Sequence, residues 1–348
     1  MEISIGEKKI GSNNLVYFIA EIGVNHCGDV NLAKKMILAA KKSGADAVKF
    51  QTFNTDYFVT PNTPKVKYQE KSTSPKTTHY EMLKSLELSK EKHQILFDFC
   101  ETQKIQFLST PYDTDSAQFL NNMGCDTFKT ASADIVDLNL HTYLAKTGKT
   151  VIISTGMANL EEIKDCVEIY KANSNKNFIL LHCVSNYPCS NQSINMLVLP
   201  KLASTFNCLV GYSDHSVGNE AATISMTLGG VLIEKHFTID KNLPGPDQKA
   251  SVLPKEFYNL VQTVNRTKLI LGKSEKKCQA EELQMATVSR KSLTLISPLK
   301  KGEKLSKKHV TLKRPGTGLF VKELQKLLGH KARKPLSVNH QIRHEDFD

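Results

Sequence analysis

Short apolar runs recur along the chain, each closing on polar or charged residues. They read VYFIAEI (16–22), AVKFQT (47–52), QFLSTP (106–111), TFKTAS (127–132), VIISTG (151–156), FILLHCVS (178–185), LVGYSDH (209–215) and VLIEKHF (231–237). Runs of this length, bounded by polar residues, predict buried strands. The segments between them have helical spacing. NLAKKMILAAKKSG (31–44) aligns Leu32, Met36, Ile37 and Ala40 on one stripe and stops at Gly44, and NLEEIKDCVEIYK (159–171) aligns Leu160, Ile163, Val167 and Tyr170. Such stripes predict amphipathic helices. Eight strand–helix units predict an α/β fold, a (β/α)8 TIM barrel, which typically needs about 250 residues. A doubly wound open sheet is the alternative. It usually has fewer strands, and no G-x-G-x-x-G turn follows the first run.

Past Leu271 the pattern changes. GKSEKKCQAEELQMATVSRKS (272–292) reads as a polar linker with a helix. SLTLISPLKKGEKLSKKHVTLKRPGTGL (292–319) reads as short strands and turns. The expected organisation is a barrel over 1–272, a linker over 273–289 and a small β-rich domain over 290–348.

Charge sharpens this division. The net charge is +11, but residues 290–348 hold 15 Lys and Arg against 5 Asp and Glu, and the rest of the chain is near neutral. A basic domain attracts nucleic acid or anionic metabolites. With no helix-turn-helix or zinc-finger spacing and few aromatics for stacking, no nucleic-acid partner is expected. No run approaches the ~18 apolar residues of a membrane span, and the N-terminal residues lack a basic segment leading into an apolar one. A cytoplasmic location with no membrane partner is expected. The eight cysteines are scattered without a C-x-x-C pair, which predicts reduced thiols and neither a disulfide framework nor a cysteine–zinc site.

Barrel enzymes carry their chemistry at the C-terminal ends of the strands, where these runs turn polar. Side chains alternate along a strand, so Glu234 and His236 share one face and Lys235 takes the other. Ser213 pairs in the same way with His215, Lys49 with Gln51, and Glu21 with Gly23. Lys129, Ser132, Thr110 and Ser154 lie at the ends of neighbouring runs. Lysines and hydroxyls there suit a phosphate and a carboxylate. Two histidines from adjacent runs suit a divalent metal with open positions, completed by water and substrate. They equally suit hydrogen-bonded core histidines. Lys49 and Lys129 admit three readings: anion binding, structural ion pairing, and Schiff-base catalysis by a Schiff-base aldolase.

The motifs AEIGVNHCGD (20–29), AVKFQTF (47–53), FLSTPYD (107–113), STGMANLEEI (154–163), LHCVSNYP (181–188), GYSDHSVG (211–218), EKHFTID (234–240) and GPDQKAS (245–251) occur in order. Through them the chain resembles the sialic acid (N-acetylneuraminate) synthases and their legionaminate and pseudaminate relatives, over nearly its whole length. TLKRPGTGL (311–319) resembles part of that family's antifreeze-like (SAF) domain. The resemblance implies a transferase. It would condense phosphoenolpyruvate with an N-acetylated hexose, N-acetylmannosamine or a related sugar, giving a nonulosonic acid and phosphate by metal-assisted C–C bond formation and C–O cleavage. Legionaminate or pseudaminate synthesis from a diacetamido-trideoxyhexose is the alternative.

The resemblance also implies roles. His215 and His236 bind a divalent metal, Mn2+ first, with Mg2+ or Co2+ possible. Lys49, Thr110, Lys129, Ser132, Ser154, Ser185 and Ser213 surround phosphoenolpyruvate. Glu21, Gln51, Asp134, Tyr187, Asp247 and Arg314 surround the sugar, and Glu234 stands between the groups beside the metal. Glu21, Glu234, Lys49 and Lys129 are the catalytic candidates. In the domain-swapped homodimer that the family implies, Arg314 reaches the partner's site. The chain departs from the family where Ser132-Ala133-Asp134 replaces the usual Ser-Gly-Glu, where Ser185 stands in place of a frequent Asn that some branches also replace with Ser, and where Gln248 stands in place of a common His.

Overall fold

The computed structural model of the protein describes every residue except 67, 68, 71, 72, 74 and 75. It divides into two compact units, Met1–Gly272 and Lys273–Asp348.

The first unit opens with a hairpin that the sequence reading missed, β1 (Glu2–Ile5) antiparallel to β2 (Lys8–Gly11). Eight strands follow, one at each predicted run: β3 (Tyr17–Gly23), β4 (Ala47–Thr52), β5 (Gln106–Pro111), β6 (Thr127–Thr130), β7 (Thr150–Ser154), β8 (Phe178–Cys183), β9 (Leu209–Asp214) and β10 (Leu232–His236). Every ladder among them is parallel. The hydrogen-bonded order is β5-β4-β3-β10-β9-β8-β7-β6. β5 and β6 lie beside each other without a ladder, which leaves the barrel nearly closed. At this seam Gln106 Nε2 donates to Asp126 Oδ1 at 2.9 Å, tying the start of β5 to the approach to β6.

Each strand is followed by a covering helix: α1 (Val30–Lys42), α2 (Lys90–Thr102), α3 (Thr114–Met123), α4 (Leu138–Lys146), α5 (Leu160–Ala172), α6 (Val198–Phe206), α7 (Glu220–Thr227) and α8 (Pro254–Leu271). Local chemistry sets their ends. Asp29 caps α1 by accepting from the Asn31 and Leu32 amides, and Gly44 follows its last turn at φ +91°. Asn159 and Glu162 form a capping box on α5. A cap of this kind stabilises a helix by ~1 kcal/mol. The buried stripes differ slightly from those predicted. α1 buries Ala33, Met36, Ile37 and Ala40 and leaves Leu32 half-buried. α5 buries Ile163, Cys166, Val167 and Tyr170 and exposes Leu160, its first residue.

Strand alternation separates two cores. Phe18, Ala20, Ile22, Val48, Phe50, Phe107 and Leu180 point out beneath the helices. Tyr17, Ile19, Ala47, Leu108, Ile152, Ile179 and Leu181 point in, and Ile3, Ile5 and Ile10 of the hairpin pack onto them, plugging the N-terminal end of the barrel. Thr150 Oγ1 donates to Ser4 O at 2.8 Å and fastens the plug.

The second unit has its own core of Leu293, Leu295, Leu299, Leu305, Leu336, Ile342 and Phe347. Its ribbon pairs β11 (Ser292–Leu295) antiparallel with β12 (Val310–Lys313), and a helical segment, Ala280–Ser289, precedes it.

Candidate active site

Above the inward apolar layer the same alternation puts charge inside the barrel. Register joins the charges in rows: His236 lies opposite Glu21 and Glu21 opposite Lys49, while Glu234 lies opposite Ser213 and Ser213 opposite Cys183. A register shift between Glu21 and Gly23 breaks the expected alternation at the end of β3. Gly23 (φ +55°) then passes so close to the Glu21 and Gln51 side chains that a Cβ there would lie 2.9 Å from Glu21 Oε1.

Two lysine–glutamate pairs occupy the pocket floor, all four residues at most 5% exposed. Lys49 Nζ is 2.6 Å from Glu21 Oε2 and donates to Thr110 Oγ1 at 3.0 Å, while Gln51 Nε2 donates to Glu21 Oε1 at 3.3 Å. Lys129 Nζ donates to Ser154 Oγ (2.5 Å) and Thr130 O (2.8 Å), and stands 3.8 Å from Glu234 Oε1, which accepts from Ser213 Oγ at 3.0 Å. The environment pushes the two carboxyls apart. Burial lifts Glu21 to about 7 against the pull of Lys49, with the charge on Glu234 adding to the rise. Burial also opposes ionisation of Glu234, but Lys129 and Lys49 prevail and hold it down at about 2. One carboxyl is thus poised to exchange a proton near neutral pH, and the other stays an anion. Burial lowers Lys129, and Glu234 restores it only in part. For Lys49 the order reverses: Glu21 and Glu234 more than offset burial and raise it.

A cradle of small polar groups forms beside Lys129. Gly156 N donates to Ser132 Oγ at 3.0 Å, and Ser132 Oγ is 3.0 Å from Cys183 Sγ. A Cβ on residue 156 would come within 2.5 Å of Ser185 Oγ, 2.7 Å of Cys183 Sγ and 2.8 Å of Ser132 Oγ. Only glycine admits that approach, so STG (154–156) is part of the site wall as well as a turn. Gly156 and Cys183 were absent from the predicted residues. Counting alternation on from Ile179 and Leu181 would have reached Cys183.

The histidines lie together across the pocket. The His215 and His236 ring centroids are 5.6 Å apart, and the Tyr187 ring sits 4.1 Å from the first and 5.3 Å from the second. His215 Nδ1 donates to Val184 O at 2.7 Å, which fixes the neutral ring's tautomer and leaves Nε2, 3.4 Å from Ser213 Oγ, unprotonated. Burial lowers the pKa of both, His236 to about 3 with His215 and Lys49 contributing. Both rings are therefore neutral, the form that ligates metals. His236 Nδ1 and Glu234 Oε2 are buried with no hydrogen-bond partner among the described residues. No group of three or more His, Cys, Asp or Glu among those residues could hold a metal ion. The donor set fits a cation bound by two imidazoles, with the remaining positions left to substrate and water.

Residues 36–276 match the NeuB family and residues 290–348 match the SAF domain. The chain belongs to the NeuB family. It is 43% identical to the N,N'-diacetyllegionaminic acid synthase of Legionella pneumophila across 96% of this chain and 95% of that one. It is 33% identical to the pseudaminic acid synthase of Helicobacter pylori across 95% and 97%. Among solved structures, the N-acetylneuraminic acid (sialic acid) synthetase of Leptospira borgpetersenii in complex with citrate superposes with a TM-score of 0.72 at 36% identity, covering 82% of this chain and 95% of that one.

In this NeuB-family barrel, Asp134 follows β6 with Oδ2 buried and without a hydrogen-bond partner among the described residues, and burial with the nearby Asp137 charge lifts its carboxyl to about 7. Asp247 is buried, and its charge reaches Lys49. Gln248, in place of the family's common His, knits the loops after β3 and β10 together. It donates to Asn25 O (2.8 Å) and Pro244 O (3.3 Å) and accepts from Thr238 Oγ1 (2.5 Å). Arg314 is the predicted site residue that the barrel does not hold. It is exposed in the second unit, just past β12.

Proposed function

We propose that this enzyme condenses phosphoenolpyruvate with the open-chain aldehyde of an N-acetylated hexose, releasing phosphate and a nonulosonic acid. The observation that carries the reading is the convergence of two lysines, two carboxyls held at opposite protonation tendencies and two neutral histidines on one barrel mouth. Of the two acceptor classes, N-acetylmannosamine and a diacetamido-trideoxyhexose, the kinship with a legionaminic acid synthase favours the second.

Lys129, Ser154 and the Ser132–Gly156–Ser185 cradle bind the phosphate, with Ser213 beside them. Lys49 and Thr110 hold the carboxylate. Charge-assisted donors set in a dry pocket stabilise anionic oxygen where it develops. Gln51, Asp134, Tyr187 and Asp247 orient the sugar, and holding two substrates in register supplies much of the rate gain. His215 and His236 would hold a divalent metal, Mn2+ first and Mg2+ or Co2+ as alternatives. Its chemistry there is Lewis acidity toward the aldehyde oxygen.

The C2=C3 electrons of phosphoenolpyruvate form the new bond to the aldehyde carbon, and the aldehyde oxygen becomes a hydroxyl by taking the proton of Glu21. The positive charge left at C2 faces the fixed anion of Glu234. Water adds to C2 and passes a proton to Glu21. The bond from C2 to the phosphate oxygen then breaks, the proton of the C2 hydroxyl passes to the departing phosphate, and a 2-keto acid and phosphate leave.

Incubation with phosphoenolpyruvate, Mn2+ and a panel of N-acetylated hexoses, followed by product mass and phosphate assay, tests this. Phosphate is expected only when an acceptor is present. Release without an acceptor, or trapping of substrate on a lysine by borohydride in the presence of chelator, would overturn it.

The proposal extends to a domain-swapped homodimer in which Arg314 of one chain clamps the sugar of its partner. Arg314→Ala and His215→Ala chains should each be inactive and regain activity when mixed and reannealed. A mixture that stays silent counts against the swap.

A further inference from the structure

Strands β9 and β10 each present one histidine to the pocket, and the residue before each histidine points the other way. Those two outward residues are Asp214 and Lys235, which lie directly opposite one another in the ladder. Lys235 Nζ meets Asp214 Oδ2 at 2.5 Å, with both side chains at most 3% exposed. The bonding then wraps the turn that carries His215. Asp214 Oδ1 accepts from Ser216 N (2.8 Å) and Ser216 Oγ (2.6 Å), while Lys235 Nζ donates to Ser216 O (2.9 Å) and Gly218 O (3.3 Å). His215 is thus gripped on both sides. Its ring holds Val184 O, and its own carbonyl accepts from Cys189 N at 3.0 Å.

A buried ion pair is weak evidence for stability. Its desolvation cost rivals its Coulomb gain, and apolar replacements of both partners are often neutral or better. At this site a pair of apolar residues would satisfy the helix-facing side of the sheet as the neighbouring Ile233 and Tyr212 do. What apolar residues cannot do is hold the Ser216–Gly218 backbone, because the ammonium and carboxylate together provide its hydrogen bonds.

We propose that Lys235 and Asp214 are positioning residues that fix His215 relative to His236 and so set the affinity of the pocket for a divalent cation. The inference rests on the reading of the two histidines as metal ligands.

The test is Mn2+ binding to the intact protein, read from the electron paramagnetic resonance signal of free Mn2+, beside thermal melts without metal. The double variant Lys235→Met/Asp214→Leu should melt near the parent while its Kd for Mn2+ rises about tenfold to a hundredfold, the usual effect of losing a group that orients a metal ligand. Ser216→Ala removes one of the bonds to Asp214 and should weaken binding in the same direction by less. His215→Ala is the control. If the parent binds no Mn2+, or His215→Ala binds as the parent does, the metal reading falls and this inference with it. If His215→Ala abolishes binding but a folded double variant keeps the parent Kd, the inference alone is overturned. If the double variant does not fold and Ser216→Ala leaves Kd unchanged, the pair is a stability element, and the inference is likewise overturned.

Discussion

The two ends of the barrel are built by the same rule and filled with opposite chemistry. At the N-terminal end, inward residues such as Ile19, Ala47, Leu108 and Ile152 meet the hairpin's Ile3, Ile5 and Ile10 in an apolar plug. Two residues further along the strands, the same inward face carries Glu21, Lys49, Thr110 and Ser154. The lower layer contributes burial free energy, about 25 cal/mol per Å2 of apolar surface. The upper layer spends part of it on desolvated charge. The comparison teaches that a polar end on an apolar strand marks function, since folding alone gains nothing from the exchange.

The largest test of this contrast falls on the upper layer. Lys129→Met should lower kcat by roughly 10²–10³, the usual cost of removing a donor aimed at developing oxyanion charge. Its thermal midpoint should fall as well, because Glu234 loses a buried cation, so kcat is read at a temperature where the variant is folded. A variant that keeps its kcat would show the ion pairs to be structural.

The lower layer should respond in the opposite way. Ile5→Ala should cost about 2–5 kcal/mol in urea unfolding of the barrel by opening a cavity in the plug, and KM for phosphoenolpyruvate should stay that of the parent. A kcat that falls together with stability would mean that the hairpin also shapes the mouth and that the ends are coupled.

The smallest effect concerns a residue in neither layer. His141 is buried under the helices, with Nδ1 3.0 Å from Tyr170 Oη, and burial lowers it to about 4. The unfolded chain therefore binds a proton at higher pH than the folded one. The contribution to stability is complete above about pH 6.5 and is lost as pH falls toward 4, by about 1.4 kcal/mol per unit. Urea melts between these values should show a shallower pH slope for His141→Phe. An unchanged slope would assign acid lability to other groups, the buried His26, held at about 3, first among them.

Much of this architecture is legible in the chain because alternation and helical period are local properties. All eight barrel strands fall where apolar runs end in polar residues, and Glu234 with His236 can be paired by counting. The hairpin escaped because its two short strands, EISI and KKIG, contain no continuous apolar run to mark them. The Gly156 cradle escaped because it joins the ends of β6, β7 and β8, and only their relative heights bring Ser132, Cys183 and Ser185 together.

VLIEKHF shows the boundary between the two kinds of information. Sequence alone determined that Glu234 and His236 share a face and that Lys235 opposes them, since a strand has a period of two. It also carried the family motifs. The tertiary structure decided the partners. Ladder register set Asp214 beside Lys235, and closure of the sheet set Lys129 against Glu234. These contacts depend on distances between different strands, which no local period encodes.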